Sequence, residues 1–217
     1  MKKQLLSVSQ RTTLDKRLSE AEENIGAQIV LATVKRSDIH AEIPWKAFAI
    51  SSSVTAFVVI IIELFRPGWV TDRVIQFSVT AILSAGVLAA LLTLLLPCFA
   101  RLFLSESRKE TETRQYAESL FLSHQLFATE GRRGILLLVS QFERKVVIIP
   151  DSGISDRLKP EMLNSIISKM TPQLKKQELQ QALETGLNEL CALLGRSATP
   201  GTLKNELSNE IIEEEGK

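Results

Sequence analysis

Two apolar runs near the middle of this chain are separated only by RPGWVTDR, residues 66–73. Val74 to Ala100 is 27 residues without a formal charge, and Ala47 to Ile62 is another 16, extended past Glu63 by Leu64 and Phe65. A bilayer core of roughly 30 Å takes about 20 apolar helical residues. The expectation is therefore a transmembrane hairpin over residues 45–104, with spans at about 46–65 and 74–100. A single run of this length could be a buried core helix, but two would need a larger domain around them. The first run starts well beyond the roughly 15–30 residues of a signal peptide, so neither run is expected to be one.

The intervening turn carries Pro67-Gly68, a chain-reversing pair. Trp69 in the turn and Trp45 at the other face suit the headgroup level. Arg66 and Arg73 in the turn, and Arg101 after the second run, complete the expected interface. Lys35, Arg36, Lys46, Arg101, Arg108 and Lys109 flank the hairpin, against two arginines in the turn. That bias puts both flanks, and hence both termini, in the cytoplasm. Glu63 lies three residues before Arg66, and the pair reads as an interfacial ion pair. A small-residue face of Ala85, Gly86, Ala89 and Ala90 reads as packing within the hairpin; it also leaves room for a homo-oligomer. With a net charge of +1, nucleic acid is not an expected partner.

An even number of spans returns the chain to its starting side, so residues 1–44 and 105–196 can fold together. Thr12 to Ile25 reads as an amphipathic helix, with Leu14, Leu18, Ala21 and Ile25 on one face and Glu20, Glu22 and Glu23 on the polar side. Gln28 to Val34 reads as a strand. After the hairpin, Ser105 to Thr129 reads as a long helix, and Gly134 to Val139 as a central buried strand. Gln141 to Glu143 forms a turn, and Arg144 to Ile149 a strand closing a β-hairpin. Pro160 opens a helix with Met162, Ile166, Ile167 and Met170. Pro172 opens another, with Leu179, Leu183, Leu187, Leu190 and Leu194 on one face. Residues 197–217 read as a loop with an acidic tail at Glu213, Glu214 and Glu215. The fold class is α/β, a small mixed sheet covered by helices.

GILLLVSQFERKVVIIPDSGI resembles the central motif of the TPM domain family, an apolar strand after a glycine, then a turn, Arg-Lys and a second apolar strand. QALETGLNELCALLG, around Gln180 to Gly195, is similar to that family's closing helix, with Gly186 and Leu187 at matching positions. Asn205-Glu206-Leu207 resembles a motif near the end of many members, and AEENIGAQIVLATVKRSD resembles the usual helix into first strand. The resemblance implies a TPM-like sandwich interrupted by the hairpin, as in a bacterial branch of the family. It also implies the inner membrane as location and a LemA-type membrane protein as partner, with calcium binding or phosphatase activity among the family's properties.

The side-chain inventory narrows the chemistry. His40, His124, Cys98 and Cys191 are all the histidines and cysteines there are, too few and too scattered for zinc. There is no positioned histidine for a serine triad, and no phosphate-cradling glycine motif. Calcium needs six to eight hard oxygens, and Glu23, Glu143, Asp151 and Asp156 are the carboxylates expected to converge. The plainer reading has Asp151 stabilising a turn and Asp156 capping the next helix. Arg144 and Lys145 could contact a phosphate or a partner. The expected function is a non-catalytic, membrane-anchored module that binds a partner and assists membrane-protein assembly or maintenance. The alternative is a calcium- or magnesium-assisted phosphatase using the acidic loop near Asp151.

Overall fold

A computed structural model describes residues 6–65, 72–195 and 211–216. The chain divides into two compact units, Met1–Asp38 with Lys109–Lys217, and Ile39–Arg108. Arg66, Trp69 and the Asn205-Glu206-Leu207 motif lie outside the described residues.

The first unit is built on a four-stranded sheet of order β3-β2-β1-β4. Its strands are β1 (Gln28–Arg36), β2 (Gly134–Ser140), β3 (Lys145–Pro150) and β4 (Ile212–Gly216). β2 and β4 run parallel to β1, while β3 is antiparallel to β2. β2 is buried along its whole length, which is why GILLLVS reads as a continuous apolar run and does not alternate. One face packs Ile29, Leu31, Ile135 and Leu137 beneath α1 (Val8–Ile25), α7 (Pro160–Lys175) and α8 (Leu179–Leu194). The other packs Val30, Val34, Leu136 and Leu138 beneath α5 (Glu106–Ser123) and a 3-10 turn at Leu126–Ala128. Alternate residues of each central strand thus feed opposite cores.

Several boundaries differ from the sequence reading, each for a local reason. α1 starts four residues early because Ser7 and Gln10 form a reciprocal capping box. β1 extends to Arg36 and then holds the β2–β3 turn: Gln141 N–H donates to Val34 O at 3.0 Å and Phe142 N–H to Lys35 O at 2.9 Å. This hairpin therefore closes without Asn-Gly, with Arg144 in the left-handed region at φ 54°. α5 stops at Ser123 and does not reach Thr129, since Gln125 is left-handed at φ 52°. Pro172 does not open a helix but lies inside α7. The break falls at Gln177, left-handed at φ 63°. The acidic tail is not a loop throughout: Ile212–Gly216 forms the fourth strand of the sheet.

The second unit contains α2 (Glu42–Phe65) and α3 (Asp72–Leu95), each 24 residues, or about 36 Å at the helical rise. Both are long and apolar enough to cross a membrane. Their large side chains point outward: Phe57, Ile60, Leu64, Phe77 and Leu88 are among the exposed large apolar residues described. The second helix ends at Leu95, not near Ala100. Leu96 adopts the extended backbone that a following proline favours, and Pro97 opens the short α4 (Pro97–Ala100). Cys98 therefore lies beyond α3. α2 and α3 pack closely where Ser51 and Ser52 hydroxyls donate to Ala85 O at 3.2 Å and Ile82 O at 3.3 Å. A β-carbon on Gly86 would overlap the Ser52 hydroxyl and approach the Phe48 ring to 2.7 Å. The small-residue face is therefore occupied within the hairpin at Gly86.

Trp45 is exposed in the first turn of α2, and Arg101 lies after α4. Arg73 is exposed at the start of α3, the opposite end of the helical pair. Glu42 pairs with Arg108 at 3.1 Å and with Lys46 at 3.9 Å.

Candidate functional site

Asp151 occupies the end of β3 and is almost completely buried. Its carboxylate accepts from Arg132 Nη2 at 2.9 Å and Arg132 Nε at 3.1 Å, and from the Ser152 N–H at 2.7 Å. Its own N–H donates to Gly134 O at 2.8 Å. One side chain thus ties the β3 end to the GRRG turn and caps α6 (Ser152–Ser155). Gly131 and Arg132 are both left-handed there, at φ 68° and 53°. A β-carbon on Gly153 would come within 2.7 Å of Arg132 O, so the two loops interlock only because this residue is glycine. Burial pushes the Asp151 carboxyl upward, but Arg132 and the Ser152 N–H pull it down further, leaving it below the usual carboxylate range.

Glu143 occupies the opposite end of the β2–β3 hairpin and is also buried. Its carboxylate accepts from the Ser37 N–H at 3.2 Å and from the Ser140 hydroxyl. The Ser37 hydroxyl in turn lies 3.3 Å from the Thr113 hydroxyl of α5. These bonds fasten the residue that follows β1 to the β2–β3 turn and link it to α5. Arg36 lies over the Phe142 ring at 4.3 Å, adding a cation–π contact at the same place.

The expected convergence of Glu23, Glu143, Asp151 and Asp156 is not what the fold produces. The hairpin register runs from Ile135 opposite Pro150 to Ser140 opposite Lys145. That length of strand separates Asp151 from Glu143 by roughly 20 Å. Glu23 is exposed on α1, and Asp156 is an exposed residue at the C-terminal end of α6 rather than a helix N-cap. Among the described residues no group of three His, Cys, Asp or Glu side chains is placed to hold a metal ion. Arg144 is exposed in the hairpin turn, with Lys145 half-buried beside it. His40 is buried next to the helical pair and His124 is exposed just beyond α5.

Two features went unread in the sequence. Glu22, the neighbour of Glu23, is buried and accepts from the Ile29 N–H at 2.8 Å, closing the turn between α1 and β1. Its position four residues before Gly26 was the available signal. The acidic tail forms a clasp: Glu213 pairs with Arg11 of α1 at 2.8 Å, Glu214 accepts from the Tyr116 hydroxyl of α5, and Glu215 pairs with Lys35 of β1 at 2.7 Å. Burial, and then the Glu214 carboxylate, push the Tyr116 hydroxyl well above its ordinary value. Alternation along β4 sends Glu213 and Glu214 to opposite faces, so the strand holds helices from both layers.

No curated protein matches this chain. The solved NMR structure of the BA42 protein from the psychrophilic bacterium Bizionia argentinensis is similar in fold, with a TM-score of 0.59 at 14% identity over 98% of each chain. The TPM domain model matches residues 101–193, which contain α5, β2, β3, α6, α7 and nearly all of α8. The match begins at the close of the helical pair, and β1, which pairs with β2 in the same sheet, lies before that pair together with α1. With this match and that sheet, the chain carries a region similar to the TPM domain over residues 101–193.

Proposed function

We propose that this chain is a membrane-anchored TPM-domain module that binds a partner protein in the same membrane and assists its assembly or maintenance, without a catalytic step of its own. The observation that carries the reading is the apolar helical pair set between β1 and α5. Its outward-facing large side chains suit lipid and would be costly in water. The buried carboxylates support a structural role, since Glu22, Glu143 and Asp151 bond backbone N–H groups, a serine and an arginine. The lysine and arginine bias supports a cytoplasmic side for the domain and both termini, and the family resemblance supports a bacterial inner membrane as the location. A LemA-type membrane protein is the partner that the family resemblance implies.

The reading is tested with a photo-crosslinking residue in place of exposed Arg144, in native membranes. A discrete adduct with another membrane protein is expected, and Asp151→Ala should still give it. Phosphate-ester hydrolysis is measured in parallel with calcium, with magnesium and with chelator. Turnover that needs metal and vanishes in Asp151→Ala would overturn the non-catalytic reading. Sidedness is read with Cys98→Ser and Cys191→Ser in place. Val70→Cys in the turn should react with an impermeant maleimide on intact cells, and Arg144→Cys only after lysis. The reverse pattern would place the domain outside.

A further inference from the structure

β4 is an unusual edge strand. Glutamate is a poor strand former, yet Ile212–Gly216 reads Ile-Glu-Glu-Glu-Gly and none of its residues is fully buried. The groove holds the strand through specific contacts. Ile211 is buried just before it, and Ile212 packs on the α5-side core. Glu213 takes Arg11 and the Leu6 N–H, Glu214 takes Tyr116, and Glu215 takes Lys35. Gly216 is left-handed at φ 87°, where a β-carbon would come within 2.8 Å of the Arg36 carbonyl carbon. Main-chain pairing supplies attraction and the side-chain contacts supply specificity, as in recognition by strand addition.

We propose that the β1 edge, with Arg11, Tyr116 and Lys35, is a strand-acceptor groove whose exchangeable occupant is the acidic C-terminal strand of a second copy of this chain. An identical strand from a neighbouring copy makes every contact that the chain's own strand makes. The exchange is then decided by tether and concentration, not by affinity. The strand's release is cheap in apolar surface, because its apolar anchors are Ile211, buried just before it, and Ile212, only partly buried, followed by three glutamates and a glycine. Residues 196–210 lie between α8 and Ile211, and a chain of that length spans at most about 50 Å, enough to reach an adjacent copy. The outcome is a reciprocal dimer built from bonds already present within one chain.

The test uses the full chain with Cys98→Ser and Cys191→Ser. One tagged copy carries only Lys35→Cys and a differently tagged copy only Glu215→Cys, co-expressed and mildly oxidised in membranes. The expected result is a reducible heterodimer bearing both tags, about tenfold more abundant than with Gln28→Cys paired with Glu215→Cys, because effective concentration is high only for the matched register. A third form carries Lys35→Cys and Glu215→Cys in one chain and should close internally. Internal closure without the heterodimer would overturn the exchange, as would equal yields from matched and mismatched pairs. Failure of internal closure would overturn the groove itself.

Discussion

The two units treat apolar surface in opposite ways. In the α/β unit, Leu31, Leu136, Leu137 and Leu138 are completely buried between helical layers. In the helical pair, residues of the same types face outward, with Leu64 at 75% and Phe65 at 79% exposure. One unit makes its own apolar interior, and the other needs one supplied. Composition alone does not separate them, since strand β2 is as apolar as the helices. Length and period do. A seven-residue apolar run between turns is a buried strand, whereas a run three times longer is a membrane-length helix.

The comparison is broken most severely at its core. Leu137→Ala should destabilise the sheet by about 2–5 kcal/mol, read as lost amide-exchange protection along β2. Leu64→Ala should change protection of that sheet by less than about 0.5 kcal/mol. Equal effects would mean that the two leucines share an environment.

A charge sharpens the same contrast. Leu83 is near the middle of α3 and is 52% exposed. In water Leu83→Lys would be almost neutral, but at the centre of a bilayer it should cost about 2.5–3.5 kcal/mol of insertion. Carbonate extraction of membranes expressing the variant reads the difference. An unchanged membrane fraction would contradict the membrane assignment of the pair.

The buried carboxylates extend the contrast to polar groups. Asp151 is held below its ordinary carboxyl range by Arg132 and Ser152, against the upward push of burial. Its folded value is therefore below its unfolded value of about 3.9. The stability it contributes is complete above that pH and is lost as pH falls through the folded value. Asp151→Asn should destabilise the α/β unit by about 1–2 kcal/mol at pH 7, with the gap to the parent narrowing below about pH 4. Thermal melts across that window check it; a gap independent of pH would mean that charge is not the cause.

What was legible in the sequence follows from which signals are local. The hairpin strands, α1 and both apolar helices follow from period and length, and the α/β class follows from their order. The missed positions depend on contacts distant in sequence. Gln177 ends α7 with no glycine to announce it. β4 has poor strand propensity and is fixed by Arg11, Lys35 and Tyr116, from three separate elements. Glu143 and Asp151 flank the same strand, so they are neighbours in sequence and not in space. A β-hairpin brings neighbouring strands together but puts its turn and its open end at opposite ends of the sheet. The same logic separates Glu22 from Glu23: one helical step turns one carboxylate into the β1 turn and the other into solvent.

The smallest expected effect lies inside the helical pair. Ser52 donates to Ile82 O at 3.3 Å, and its hydroxyl fills the space beside Gly86. Ser52→Ala removes that bond but leaves the close approach of the helices unobstructed. Hydrogen bonds between membrane helices average about 0.6 kcal/mol, because alternative partners exist in the separated state. Gly86→Leu at the same contact instead inserts volume where the Phe48 ring already sits, and overpacking of this kind costs about 1–3 kcal/mol. Two cysteines placed across α2 and α3, at Ser51 and Ala85, report the helix spacing through their rate of disulfide formation. Ser52→Ala should leave that rate nearly unchanged and Gly86→Leu should slow it strongly. If the serine change were the more damaging, the pair would be held by its hydroxyl bonds and not by the fit of glycine against phenylalanine.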